Sequence, residues 1–562
     1  MRHPHVQLLA LATLGSLSLT SAGCADQLFG PDGPTDPEPP VVEVTSPERA
    51  QMVGDLPMVT VMGRASDAET GLDRVTVNGV RAEVDGVGAF RVDVPVQPGI
   101  NLLVVSAKDR GGNETTETRS VLTGPLSPLG RPVTDALATS VSDDALAAIA
   151  AGAQAFAQDG DLTAFMAGFG PAVDAGWSGP GDCLFGRVWV SSLDVDGAAV
   201  DLFPRRGALS LSAELTGIDA TLHLEYAAAC VDGMRDVTIH LDRLALSGDM
   251  AIGIAGQRLS VTLPNRNVTM TGLDLELGGV PGDVVNLLNL DSALGPVLGW
   301  VTERYLLPKV ATALEGAASE RQFTLAGHAV DLAMTPSVVA IDDAGVRLQM
   351  NAAVTVAGSE RSPGIAVVRN SMPELATDDG FALAIADDFL NGLLAGAWAA
   401  GAMTYSLDLG GGDYGQIGVL FDGVDIEPLQ APMVSAHRGD GKVELIVPDL
   451  IATFRNGGEV VTKIAINGRL DLALAQAGDR LTLVVGTPAV DVDFLSDGVT
   501  GGNVFDDEQF EDLVSFAAER AVYAADGFLR KIPLPALGGV GPADLAVGAS
   551  GGYVSADGRL TR

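Results

Sequence analysis

Basic side chains are scarce in this chain: Lys and Arg number 34 against 72 Asp and Glu, a formal net charge of −38. A nucleic-acid partner is excluded, because its backbone has to be neutralised by Lys and Arg. Gripping anionic head groups by charge is excluded on the same ground. Six histidines occur (His3, His5, His223, His240, His328 and His437), and no pair has metal-ligand spacing. His223 and His240 alternate with apolar residues, which places them on the wet side of strands. No nucleophile elbow, phosphate loop or zinc-protease motif is present. Leu193-Asp194-Val195-Asp196-Gly197 is a calcium-loop fragment without the remaining ligands and reads as a strand turn. Arg438-Gly439-Asp440 likewise reads as a turn. With no catalytic set, neither enzyme activity nor a cofactor is expected; an envelope hydrolase would need a nucleophile–base pair that the residues do not offer. Long apolar runs are missing after the N-terminal segment. The best later candidate for a membrane span, 381–405, holds Asp387, Asp388 and Asn391 and is otherwise mostly Ala and Gly.

Aromatic residues make up only 5% of the chain, yet hydrophobic residues make up 47%. An acidic exterior therefore surrounds much apolar surface with little bulky filler. What the chain does have, it has twice. Asp143-Asp144-Ala145-Leu146-Ala147-Ala148-Ile149 is echoed by Asp387-Asp388-Phe389-Leu390-Asn391-Gly392-Leu393, each running on in Ala and Gly. Glu303-Arg304 is echoed by Glu519-Arg520, and Asp331-Leu332-Ala333 by Asp544-Leu545-Ala546. Three echoes in one order indicate a tandem duplication with a period far longer than a solenoid repeat.

The first 24 residues read as a secretory signal: Arg2, His3 and His5, an apolar run from Val6, then Thr20-Ser21-Ala22-Gly23-Cys24. The small residues before Cys24 resemble a bacterial lipobox, with Ser21 where such signals usually carry Leu. The resemblance implies an acylated Cys24 holding the protein to a membrane, and Ala25 after it favours the outer membrane of a Gram-negative cell. The alternative is an ordinary cleaved signal. Residues 25–40 are proline-rich and read as a stiff spacer. Export implies an oxidising compartment, so Cys183 and Cys230 are expected to pair, with two separate buried thiols as the alternative.

Residues 41–123 carry short alternating runs separated by Asn78-Gly79, Asp85-Gly86, Pro98-Gly99 and Gly111-Gly112-Asn113, the pattern of a small antiparallel β-sandwich. Thr45-Ser46-Pro47, Val77-Asn78-Gly79, Gly99-Ile100-Asn101 and Ala107-Lys108-Asp109-Arg110-Gly111-Gly112-Asn113 resemble the bacterial immunoglobulin-like module of glucodextranase-type domains. That resemblance implies a spacer or a carbohydrate-adhesion module. A Gly/Pro joint near 124–132 leads to two halves, 131–355 and 370–562. In the first shared helix Leu146, Ile149, Ala153 and Phe156 fall on one face. Period-two strands follow, as at Ile218, Ala220, Leu222, Leu224 and Tyr226, and at Leu470, Leu472 and Leu474. Each half has a later helical stretch, 283–316 and 507–530, and a closing strand pair.

The expected class is α+β: a β-sandwich, then a pseudo-symmetric doubled unit of long twisted antiparallel sheet wrapped around helices. This unit resembles the tubular lipid-binding superfamily, which includes the bactericidal/permeability-increasing protein. The run Phe528-Leu529-Arg530-Lys531-Ile532-Pro533-Leu534-Pro535-Ala536-Leu537 looks like the end of those proteins, and Cys183 and Cys230 lie in the first half, as does the family's disulfide. The resemblance implies one acyl-chain pocket per half. Lining is expected from Leu146, Ile149 and Phe156 on one helix and Leu390, Leu393 and Trp398 on the other. The expected partner is a phospholipid or other apolar lipid, held at about 0.8 kcal/mol per buried methylene. Three observations favour an open pocket: helix faces rich in Ala and Gly, few aromatics, and no catalytic set. The competing reading is a non-catalytic structural or adhesive surface protein with solid halves.

Overall fold

A computed structural model describes residues 38–159, 173–276, 278–288, 321–325, 327–360, 362–375, 380–410, 420–477, 480–495 and 541–561, with the isolated residues 162 and 171. Cys24, Glu303-Arg304, Glu519-Arg520, most of the two later helical stretches and the Pro-Leu-Pro passage lie outside the described residues. Among those described, the protein is mostly β-sheet with few helices and begins with an immunoglobulin-like sandwich. No described helix is long and apolar enough to cross a membrane.

The sandwich follows from strict alternation. Met58–Ser66 buries every second residue, and Ala89–Pro95 repeats the pattern. Four strands face five across a core in which Val61, Val75, Val77, Val105 and Val121 are fully buried. Asn78-Gly79 closes a hairpin with φ of 47° and 80°, values that a two-residue turn between right-twisted strands requires.

The doubled region is joined by a seven-stranded central sheet. Its inner pair is Val133–Ser142 and Phe381–Ala386, antiparallel, with Thr139 opposite Leu383. Each inner strand runs straight into a shared helix, α1 (Asp143–Asp159) or α3 (Asp387–Ala399), and each pairs outward with a returning strand, Gly345–Val356 or Tyr553–Thr561. The sequence echo is thus an echo of structure. Small residues make the seam: Ala138, Ser140, Ala382 and Ala384 are buried where the two copies meet. α1 is capped by Ser142, whose Oγ accepts from the Ala145 amide at 3.3 Å.

The first half's own sheet is built on three strands of 22, 21 and 25 residues, Leu184–Arg205, Ala208–Ala228 and Val231–Ala255, joined by tight turns. Alternation along them is not continuous. Inward positions run Leu209, Leu211, Ala213, Leu215, then Ile218, Ala220, Leu222. The change of phase falls on one row across four strands: Asp196, Gly217, Asp242 and Gly272, flanked by unshifted pairs. Gly217 and Gly272 have φ of 57° and 69°, and the carboxylates of Asp196 and Asp242 occupy the space their Cβ atoms would need. A kink shared by all four strands keeps one apolar face inward along the whole length. The calcium-loop fragment is therefore strand, not turn. His223 and His240 are exposed on the other face, each 2.8 Å from a carboxylate, Asp236 and Asp219.

The second half's sheet includes Gly423–Pro428, Val443–Asn456, Glu459–Ala477 and Ala489–Leu495. The immunoglobulin-like domain does not stand off from it as a spacer; it is seated on it, through contacts described next.

Candidate functional site

The first-half sheet carries an apolar face with α1 at one end and a short helix, α2 (Gly282–Leu288), at the other. Leu146 and Ala150 of α1 are buried, and Ile149 packs beside them, against Leu202, Leu209, Leu211, Met250 and Leu263. Val284 of α2 is buried against Val188, Leu224, Tyr226 and Val237. Between the helices lie Ile218, Leu241 and Leu244, with Leu193, Val195, Leu215, Met270 and Leu273 only partly buried around them. Gln158 donates to the Ala198 carbonyl at 3.2 Å, so the end of α1 that carries Phe156 sits beside this middle stretch. Phe156 is 48% exposed. The structure thus brings Leu146 and Ile149 into one solid cluster and leaves Phe156 at its edge.

In the second half, Leu393 packs on Val330, Val354 and Val356 of the central sheet, and Leu390 is half-buried. The small residues of α3 do not leave space there. A Cβ on Gly396 would lie 2.5 Å from Val356, so glycine lets the helix approach the sheet. Asn391 exchanges two hydrogen bonds with the backbone of Val434, at 2.9 and 2.7 Å. Trp398 donates its indole N–H to the Pro428 carbonyl at 2.8 Å. Its ring lines a cavity whose opposite wall comes from the immunoglobulin-like domain.

That domain is held by a buried charge network. Arg49 reaches from the sandwich to Asp449 at 2.8 Å and Asp493 at 2.9 Å, and donates to the Thr118 carbonyl at 2.6 Å. Asp449 is fully buried and also accepts from the amides of Ala50 and Ser120 and from the Ser120 hydroxyl. Asp493 accepts from the Thr118 amide, and Asn467 donates to the Thr118 carbonyl. Two carboxylates and a carboxamide therefore satisfy backbone groups of strand Glu114–Thr123 where that strand meets the second half. Burial pushes the Asp493 carboxyl up to about 7 even though Arg49 pulls the other way. Next to this network, Ile100, Leu102 and Leu122 pack on Ala366, Met433 and Ile446.

The paired aspartates of the two helices, alike in sequence, differ in surroundings. Asp143 and Asp144 are exposed. Asp387 and Asp388 are both buried; Asp387 accepts from the amide of Ala436 and the side chain of Asn370 and lies 3.4 Å from His437. Burial, then the neighbouring Asp387 charge, pushes Asp388 up to about 7. Cys183 and Cys230 form a disulfide. No group of three or more His, Cys, Asp or Glu among the described residues is placed to hold a metal.

The fold so assembled is an immunoglobulin-like sandwich seated on a doubled, β-rich body. Residues 40–124 match the family model for glucodextranase, domain B. No curated protein matches the chain. Among solved structures, it is similar to a lipopolysaccharide binding protein at 13% identity and a TM-score of 0.36, over 76% of this chain and 99% of the other. It is also similar to P47 of Clostridium botulinum E1 at 7% identity and a TM-score of 0.23, over 77% of this chain and all of the other.

Proposed function

We propose that this chain is a non-catalytic lipoprotein of the bacterial cell envelope, held at the outer membrane through acylated Cys24, that binds phospholipid or another apolar lipid. Each half's sheet, in this reading, wraps with its helices around one pocket. One observation carries it: the apolar face of the first-half sheet stays continuous through a shared kink, and in its middle, between α1 and α2, buried Ile218, Leu241 and Leu244 are ringed by apolar side chains that are only partly buried. A face of that length suits a hydrocarbon chain rather than a polar ligand, and each buried methylene adds about 0.8 kcal/mol. With the chain so acidic, charge contributes nothing to holding an anionic head group. Delipidated protein mixed with vesicles of fluorescent phosphatidylcholine is expected to take up lipid saturably, with little dependence on salt. Failure to load, or loading abolished by moderate salt, would overturn this.

A structural or adhesive surface role is favoured by a different observation, the solid packing of Leu146, Ile149 and Ala150 where α1 leaves the central sheet. In that case the protein would take up no lipid, and the immunoglobulin-like face would carry the binding.

A further inference from the structure

The inward face of the first-half sheet carries an arginine without a partner. Arg235 stands directly opposite Leu224 and two residues before Val237, so it belongs to the face that buries Val188, Leu224 and Val237 against α2. Its guanidinium lies beside Gly279, on the approach to α2: a Cβ on that glycine would be 3.4 Å from Nη2. Arg235 is exposed and makes no ion pair or hydrogen bond among the described residues. Arg187 and Arg243, on the opposite face, do reach carboxylates, Asp174 at 3.5 Å and Glu214 at 2.6 Å. Tyr226 is the neighbour of Arg235 on the inward face. It stands opposite Gly233, and a Cβ there would lie 2.5 Å from its Cζ and 2.7 Å from its Oη. Glycine thus lets the phenol lie across the strand, two residues or about 7 Å along it from Arg235. The Tyr226 hydroxyl makes no hydrogen bond among the described residues, and its oxygen is not sealed from solvent.

A guanidinium at the edge of an apolar face is stable while water reaches it. An acyl chain laid along that face strips the water away, and the charge is then costly unless the incoming molecule brings an oxyanion. We propose that Arg235 and Tyr226 are the head-group site of the first-half pocket and select a phospholipid by its phosphodiester, which accepts from two guanidinium N–H groups and the phenolic O–H. The head group is net neutral, as in phosphatidylcholine, because a chain of net charge −38 repels a lipid of net negative charge. Contact at hydrogen-bond range then supplies what the overall field cannot. This inference rests on the lipid reading and names the lipid class that the first half takes.

The probes are phosphatidylcholine and diacylglycerol with the same acyl chains, supplied in equal amounts in one set of vesicles. Delipidated full-length chain is incubated with them, separated, extracted and analysed by mass spectrometry. The unaltered chain is expected to hold about ten phosphatidylcholine molecules for each diacylglycerol. Arg235→Met should lower that ratio about tenfold, Tyr226→Phe should lower it less, and Arg235→Lys, which keeps the charge but not the fork, should recover part of it. Arg243→Met, on the other face, should leave the ratio unchanged. A merely structural role for Arg235 would lower uptake of both lipids together and leave their ratio alone. An unchanged ratio in folded Arg235→Met protein overturns the proposal. So does uptake of the two lipids in equal share by the unaltered chain, a result that needs no variant and leaves the lipid reading intact. Uptake of neither lipid overturns both.

Discussion

Replacing Arg49 with Met would remove the guanidinium from between Asp449, fully buried, and Asp493, 8% exposed. Breaking a buried pair from one side costs about 3–5 kcal/mol, because the remaining charge has lost its partner without regaining water. Here each carboxylate keeps other donors: Ala50, Ser120 and Asn467 for Asp449, and the Thr118 amide for Asp493. The lower end, about 3 kcal/mol, is therefore expected. The loss falls on the seat of the sandwich, not on its core. Calorimetry at pH 8 should show the sandwich leaving the cooperative unit as a separate transition lowered by roughly 10 °C or more. Limited proteolysis should open the joint around 124–132. Because Asp493 already titrates near 7, acidification to pH 5.5 should restore part of the loss by protonating it. An Arg49→Met protein with unchanged melting at pH 8 and the same proteolysis pattern would refute the reasoning. So would a restored seat at high rather than low pH.

Asp388 is raised by burial from the ordinary carboxylate value to about 7, so its contribution to stability is fully present below about pH 4 and lost as pH rises through 7; Asp388→Asn should flatten the fall in melting temperature between pH 5 and 8. The disulfide closes 47 residues, so Cys183→Ala with Cys230→Ala should cost about 4 kcal/mol in denaturant unfolding if chain entropy governs it. Gly217→Ala places a Cβ at a φ of 57° and against the Asp196 carboxylate, and should lower stability by about 1–2 kcal/mol, whereas Gly253→Ala on the same sheet, with open space around it, should be far milder.

The parts of the fold that repeat locally were readable from residues. The apolar spacing of 143–155 and 387–399 marks both helices, and alternation marks the sandwich strands. What failed to show was whatever depends on distant partners. Asp143 and Asp387 stand in matching local sequence, but only Asp387 meets Asn370, Ala436 and His437, so one is exposed and the other buried. Period two marked Ile218 to Tyr226, yet the strand begins at Ala208, and the phase switch between Leu215 and Ile218 needs Gly217 and its row neighbours, brought opposite each other only by pairing. Ala and Gly on α3 read as spare volume, while Gly396 in fact admits Val356. Arg49 lies in a turn and gave no local sign of its partners about 400 residues away. Trp398 stood out as a large apolar residue on a helix, but the wall it faces comes from another domain.

The central claim is that the doubled body holds lipid. Protein isolated from its native envelope, extracted with organic solvent and analysed by mass spectrometry, is predicted to release lipid in stoichiometric amount, up to one molecule per half. Extracts that contain lipid only in trace, while the same protein is fully folded by calorimetry, would contradict it.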